Sequence, residues 1–233
     1  EKFFEFLTKN NVFKLEGKNN AITLDMGVGS GSGLYYFAKK LSNFNFVGID
    51  YDQSVLQIGK DKIFSIEGQQ LDNLKLQSGD WNKPKEIIQS IQNQKINLIM
   101  SVHSLCTQKV FYDAAKSLVA LDPEYIAFNS LFYDGPMDVL IHIRSNEYIM
   151  KDSNPDADFN IHSLPRSINY MNDFGYVLEA DEEFDIGTKL EKPKDNKRGT
   201  YTMKTELSEF SQFSGPVFLP WRFLLFKKKL KIK

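Results

Sequence analysis

The ten residues Leu24–Gly33, LDMGVGSGSG, constrain the fold of this chain more than any other stretch. An apolar run meets an acid, Asp25, and glycine then takes every second position, at Gly27, Gly29, Gly31 and Gly33. Glycine loses more backbone freedom on folding than any other residue. Four in one loop imply a backbone that turns sharply or passes very close to another group. In front of the loop, AITLDMGV is short and apolar, as a buried strand is. Behind it, SGLYYFAKKLSN places Leu34, Phe37, Ala38 and Leu41 at helical spacing. The glycines therefore join the end of a strand to the start of a helix.

The same alternation continues along the chain. FNFVGID, LKLQSGD, INLIMSV and EYIAFNSLF read as further strands. DQSVLQIGKDKIFSIEG, KPKEIIQSIQN and KVFYDAAKSLVAL read as the helices between them. Units this short predict a parallel sheet with right-handed crossovers, and so an α/β fold with helices on both faces. Beyond the fifth strand the pattern loosens. SLPRSINYMNDFGY reads as a helix closed by Gly175, VLEADEEFDIG and TYTMKTE as strands, and GPVFLPWRFLLFKKK as a final strand. One domain over residues 1–233 is expected, with cap or hairpin insertions at 133–160 and 187–216. The opening EKFFEFLTKNNVFKL reads as a short amphipathic helix, serving either as core packing or as a lid over a pocket.

Charge and cysteine usage narrow the partners. A formal net charge of −1 gives no broad basic face, which argues against nucleic acid. The basic run Lys227–Lys233 reads as a solvated end. Cys106, the single cysteine, has no disulfide partner and reads as a small buried residue in a reducing, cytoplasmic setting. His103, His142 and His162 show no metal-ligand spacing, so no metal site is expected. No apolar run reaches the ~18 residues that a membrane span needs, and no secretory signal pattern opens the chain.

In an open α/β sheet, ligands bind beyond the carboxyl ends of the strands. The glycine loop would offer main-chain N–H groups there, at a helix N-terminus that favours negative charge. Asp25 would serve a cationic group. Asp50 closes the second strand, where an acid accepts hydrogen bonds from ribose hydroxyls, with Tyr51 beside it. Asp80 closes the third, placed to accept from an adenine amine, and Trp81 offers an N–H and a flat face. Each has a plainer alternative: a tight turn for the glycines, a helix cap for Asp50 in competition with Asp52 and Ser54, a turn for Asp80. Three acids at three successive strand ends point together to an adenosine-containing ligand. Ser32 and Leu34 stand where the third glycine of a nicotinamide-binding G-x-G-x-x-G would fall, which disfavours an oxidoreductase.

Asp25, Gly27, Gly29 and Gly31 resemble the first motif of the class I S-adenosylmethionine-dependent methyltransferases, an acid followed by G-x-G-x-G. Asp50 matches that family's ribose-binding carboxylate, and Gly79–Trp81 its adenine-side motif. INLIMSVHSL is similar to its fourth-strand motif, with Asn97 where an aspartate often stands. The resemblance covers about residues 21–130. It implies a seven-stranded, mostly parallel sheet with an antiparallel last strand, and S-adenosyl-L-methionine as cofactor. Asp25, Gly27, Gly29, Gly31, Asp50, Tyr51, Asp80, Trp81 and Ser101 would hold that cofactor. The methyl would then lie near the end of the fourth strand, where His103 is either a base or substrate-orienting group, or a histidine bonded to loop backbone. Asn129 and Tyr133, ending the fifth strand, are the candidate acceptor-binding residues. The implied activity is methyl transfer to a small molecule. The alternatives are a protein or RNA methyltransferase and a non-catalytic cofactor-binding partner protein.

Overall fold

In the computed structural model, which describes residues 1–14, 21–67, 71–143, 157–194 and 199–230, five adjacent parallel strands form most of one large sheet. The chain runs through α1 (Lys2–Lys9), β1 (Ile22–Met26), α2 (Ser32–Lys40), β2 (Asn45–Asp50), α3 (Gln53–Glu67), β3 (Leu74–Ser78), α4 (Pro84–Ser90), β4 (Ile96–Val102), α5 (Phe111–Val119) and β5 (Tyr125–Tyr133). It continues through β6 (His142–Ile143), β7 (Ala157–Asp158), β8 (His162–Ser163), α6 (Leu164–Asp173), β9 (Tyr176–Glu183), β10 (Thr200–Met203), β11 (Ser211–Ser214), β12 (Val217–Phe218) and β13 (Trp221–Lys228). The main path of the sheet is β3-β2-β1-β4-β5-β13-β9. The seven expected strands are present, and the two-residue β8 adds a short eighth beside the end of β5. β13 is antiparallel to both neighbours, so the antiparallel last strand lies between β5 and β9.

Side-chain alternation divides the core into two layers. On β5, Ile126 and Phe128 face α4, α5 and α6, whereas Tyr125 and Ala127 face α1, α2 and α3. On β13, Leu224 and Phe226 join the first layer, and Phe223 and Leu225 the second. A strand covered on both sides gains from every residue, at roughly 1.5–3 kcal/mol per fully buried large apolar side chain. That is why β1, β4 and β5 read as nearly continuous apolar runs.

Asn97 has a structural reason to differ from aspartate. It is buried on β4, and its Nδ2 donates to the Val12 carbonyl at 3.2 Å, tying the segment after α1 to the sheet. An ionised carboxylate cannot donate, and burying its charge adds a penalty. Asn97→Asp should lower the unfolding free energy by about 3 kcal/mol, seen as a lower urea midpoint at an unchanged slope.

Two late strands differ from the sequence reading. The expected final strand is two: β12 pairs with β11 in a small antiparallel sheet with β10, and β13 starts afresh at Trp221. Pro220, between them, has no N–H to give a ladder. The strand expected to run to Gly187 ends at Glu183, and Asp185 then accepts from the Gly187 N–H at 2.6 Å to close a turn. Of the expected insertions, residues 144–156 and 195–198 lie outside the described residues, as do the last three of the basic run. No helix among the described residues is long and apolar enough to cross a membrane.

Candidate active site

Strand order reverses between β1 and β4, and the crevice this opens lies at the carboxyl ends of the strands. A cavity of about 510 Å³ sits there. Asp25 and Gly27 reach it from β1, Met100, Val102 and His103 from β4, and Asn129 from β5.

The glycine loop is shaped by what crowds it. Gly27 has φ +76°, and a Cβ there would lie 2.6 Å from Ser104 Oγ, with Ser104 Cβ nearer still. Ser104 is held in that place by donating to the Met26 carbonyl at 2.6 Å, with Ser101 Oγ 2.8 Å away. At Gly29 (φ +56°) no atom of the described residues lies within 4 Å of such a Cβ, so the loop faces open space there. Its inner side is pinned to β2. The N–H groups of Gly27 and Val28 donate to the Ile49 carbonyl at 2.8 and 3.1 Å, and that of Gly29 to Asp50 Oδ2 at 2.8 Å. α3 then closes on the loop from behind, at a glycine, Gly59. A lone glycine within a helical pattern was the only sequence signal for this contact.

The three acids stand in different states. Asp25 is buried, its Oδ1 has no hydrogen-bond partner among the described residues, and its pKa is pushed up to about 8, by burial first and then by the charge of Asp50. Asp50 uses Oδ2 for Gly29 and Oδ1 for the Asp52 N–H at 3.0 Å. A carboxylate offers about four acceptor sites, so two remain. Asp52, not Asp50, caps α3, accepting from the N–H groups of Ser54 at 2.9 Å and Val55 at 3.3 Å. The Gly79 N–H reaches the Asp50 carbonyl at 2.9 Å and joins the end of β3 to that of β2. Asp80 there accepts twice from Asn82, at 2.9 and 3.1 Å, which is a turn role. Trp81 is buried, with Nε1 3.8 Å from the Cβ position of Gly27. The fold thus gathers Asp25, Asp50 and Trp81 about the glycine loop, with Asp80 in the adjoining turn. Tyr51 is 82% exposed at the rim. Asp50, Tyr51, Asp80 and Trp81 do not line the cavity itself. Neither does Ser101, which is fully buried between two residues that do, Met100 and Val102.

His103 holds a left-handed backbone, φ +61°, which a non-glycine residue rarely adopts. Its N–H donates to the Asn129 carbonyl at 2.9 Å, and its ring lies on Trp221, centroids 4.2 Å apart. The Asn129 Nδ2 is 3.1 Å from His103 Nε2. The roles depend on the tautomer: only with the proton on Nε2 and the Asn129 amide oxygen turned to it is Nδ1 left with a free lone pair. His103 is exposed as a residue, yet loss of hydration around the packed ring lowers its pKa, which favours the neutral base. Tyr133 is 44% exposed and lies off the cavity, unlike Asn129. His142 pairs with Asp158 at 2.9 Å, and His162 is buried beside Phe111 and Phe132. Among the described residues, no group of three or more His, Cys, Asp or Glu is placed to hold a metal.

The rest of the cavity wall comes from parts of the chain that carry no motif. Lys2 and Phe3 begin α1, Tyr36 and Phe37 belong to α2, and Phe184 and Ile186 follow β9. The α1 helix packs in the core, with Phe3 and Phe6 on Phe223, and its first residues also line the cavity.

Residues 17–121, which hold the glycine loop, β1 to β4 and α5, match the family model described as a methyltransferase domain, Methyltransf_31. That match, under half of the chain, likens this segment to a methyltransferase domain. Solved methyltransferases share its fold at low identity. An S-adenosylmethionine-dependent methyltransferase from Methanosarcina mazei is 9% identical, with a TM-score of 0.59 over 96% of this chain and 98% of the other. One from Clostridium acetobutylicum is 16% identical, with a TM-score of 0.58 over 98% and 90%. A chain of the complex between the Haloferax volcanii Trm112 methyltransferase activator and a methyltransferase is 12% identical, with a TM-score of 0.54 over 97% and 90%. This chain spans only 62% of a longer similar protein from Galdieria sulphuraria. No curated protein matches by sequence. Two features of the site suit S-adenosylmethionine as a cofactor: the unpartnered Asp25 oxygen and the open space at Gly29.

Proposed function

We propose that this domain methylates a small molecule bound in the cavity between the glycine loop and His103. The carrying observation is the cavity. Its volume of about 510 Å³ is in the range of small-molecule sites, roughly 300–1,000 Å³, and it joins Asp25 to His103 and Asn129 in one space. Asp25 Oδ1 would take the ammonium of the cofactor's amino-acid end. The free acceptor sites of Asp50 would take the ribose hydroxyls, and Asp80 and Trp81 would border the adenine. S-adenosylmethionine, when bound, supplies a methyl on a positively charged sulfur, already activated for transfer. The chain's task is then to position and partly dry the two partners. His103, with its Nε2–H held by the Asn129 amide oxygen, would orient an acceptor hydroxyl and take its proton at Nδ1.

Two measurements test this. Calorimetry should show binding of S-adenosylhomocysteine and none of NAD. Transfer of labelled methyl into a fractionated cell extract should place label in the small-molecule fraction, and His103→Ala should slow it by about 10²–10⁴-fold at unchanged S-adenosylhomocysteine affinity. The Haloferax relative seen with an activator protein makes the protein and RNA fractions the informative controls. Label found only there would overturn the small-molecule reading.

A further inference from the structure

The cavity is lined mainly by apolar side chains, which gather where α1, α2, β13 and the segment after β9 meet. Asp50, Asp80 and Trp81 stand outside it, so this apolar part is not needed for the nucleoside part of a cofactor. Five rings line it: Phe3, Tyr36, Phe37, Phe184 and Phe223. Phe223 is shared, its centroid 5.2 Å from both Phe3 and Phe184. The start of α1 is fixed to the segment after β9 by Lys2, whose Nζ donates to the Asp185 carbonyl and sits 5.8 Å over the Phe184 ring. Building on the methyl-transfer reading, we propose that the acceptor is a flat, uncharged, mostly apolar molecule with a hydroxyl group, held between the start of α1 and Phe184–Ile186.

Each part of that description follows from a wall. Phe3, Phe223 and Phe184, packed on one another, make a continuous aromatic wall against which a flat molecule gains face and edge contacts. A cationic acceptor is disfavoured because Lys2 already occupies the Phe184 face, and the lining carboxylates are Asp25, at the cofactor end, and Glu1, which is exposed. An anion among these rings would lose its hydration, and Lys2, the lysine in the lining, is already bonded to the Asp185 carbonyl. The polar groups that converge on the reacting end are His103 and Asn129, a neutral base and an amide, which suit a hydroxyl rather than an ion.

The probe is 2-naphthol, followed by its own fluorescence, titrated into the protein alone and with S-adenosylhomocysteine. Saturable binding is expected in both. Ile186→Arg should weaken it about tenfold or more by bringing a charge to the wall, and Phe184→Ala several-fold, both at unchanged S-adenosylhomocysteine affinity, which also reports that the variants fold. No saturable binding, equal binding by both variants, or displacement of naphthol by choline would overturn the proposal. Failure of S-adenosylhomocysteine to bind while naphthol still does would instead sink the methyl-transfer reading and leave the aromatic slot supported.

Discussion

Gly59→Ala is expected to destabilise the protein and weaken cofactor binding at least tenfold, against the ordinary preference of helices for alanine. In an exposed helix interior that preference favours alanine by about 1 kcal/mol. Here α3 lies against the glycine loop. A Cβ at position 59 would fall 2.6 Å from the carbonyl carbon of Ser30 and 2.9 Å from its Cα, with the carbonyl oxygen nearer still. These are backbone atoms, so no side chain can swing aside. Either α3 or the loop must move by more than a tenth of a nanometre to restore ordinary contact. Overpacking of this kind costs about 1–3 kcal/mol and sometimes more, which outweighs the helix gain. The loop moved is the one whose Gly29 N–H is held by Asp50, so its displacement spoils two binding elements together. Gly33→Ala is the contrast: its φ is ordinary, no atom of the described residues lies within 4 Å of the new carbon, and stability should hold. Urea unfolding and S-adenosylhomocysteine calorimetry on both variants decide the matter. Normal binding by Gly59→Ala would mean that the approach of α3 does not hold the loop.

That contrast also shows what a sequence can carry. β1, β4 and β5 were legible because strands covered on both faces must be apolar throughout and must stop at polar turns. The glycine loop was legible because positive φ and close approach leave few other residues. The departure at Asn97 was visible as a departure, but its reason, a bond to Val12, required the fold to bring α1's end to β4. The cavity wall was illegible for a similar reason. Phe3, Phe184 and Phe223 meet only because β13 inserts between β5 and β9 and α1 packs over it. In sequence each looks like an ordinary core ring. His103 could be singled out by type and place, whereas its contact with Trp221 arises from a strand far along the chain. Ser101 lies on the expected strand with its side chain buried against Ser104, while the cavity is lined by Met100 and Val102, so any part it takes in the site runs through its backbone. A one-residue difference in register decides such an assignment, and no single sequence fixes it.

Asp25 should give the protein an unusual pH dependence, and Asp25→Asn should remove it. The folded carboxyl titrates at about 8 because burial disfavours its charge and Asp50 adds repulsion, against an ordinary value of 3.8. Between those two pH values the native state holds a proton that the unfolded chain has lost. The contribution to stability is therefore complete below about pH 4 and is lost as pH rises, at about 1.4 kcal/mol per unit, levelling off above about 8. Asparagine keeps the shape and cannot ionise, so the variant should show a shallower slope from pH 5 to 8 and overtake the wild type as pH rises. Binding should run the other way. A cofactor ammonium needs the ionised carboxylate, so binding must expel the proton, and affinity for S-adenosylhomocysteine should rise by about tenfold per unit up to pH 8. Asp25→Asn should bind weakly and with little pH dependence. Calorimetry at pH 6, 7 and 8 in buffers of different ionisation heat reads both the affinity and the released proton. A wild-type affinity that ignores pH, with no proton released, would mean that the orphaned oxygen of Asp25 meets no cation, and the amino-acid end of the cofactor would have to lie elsewhere.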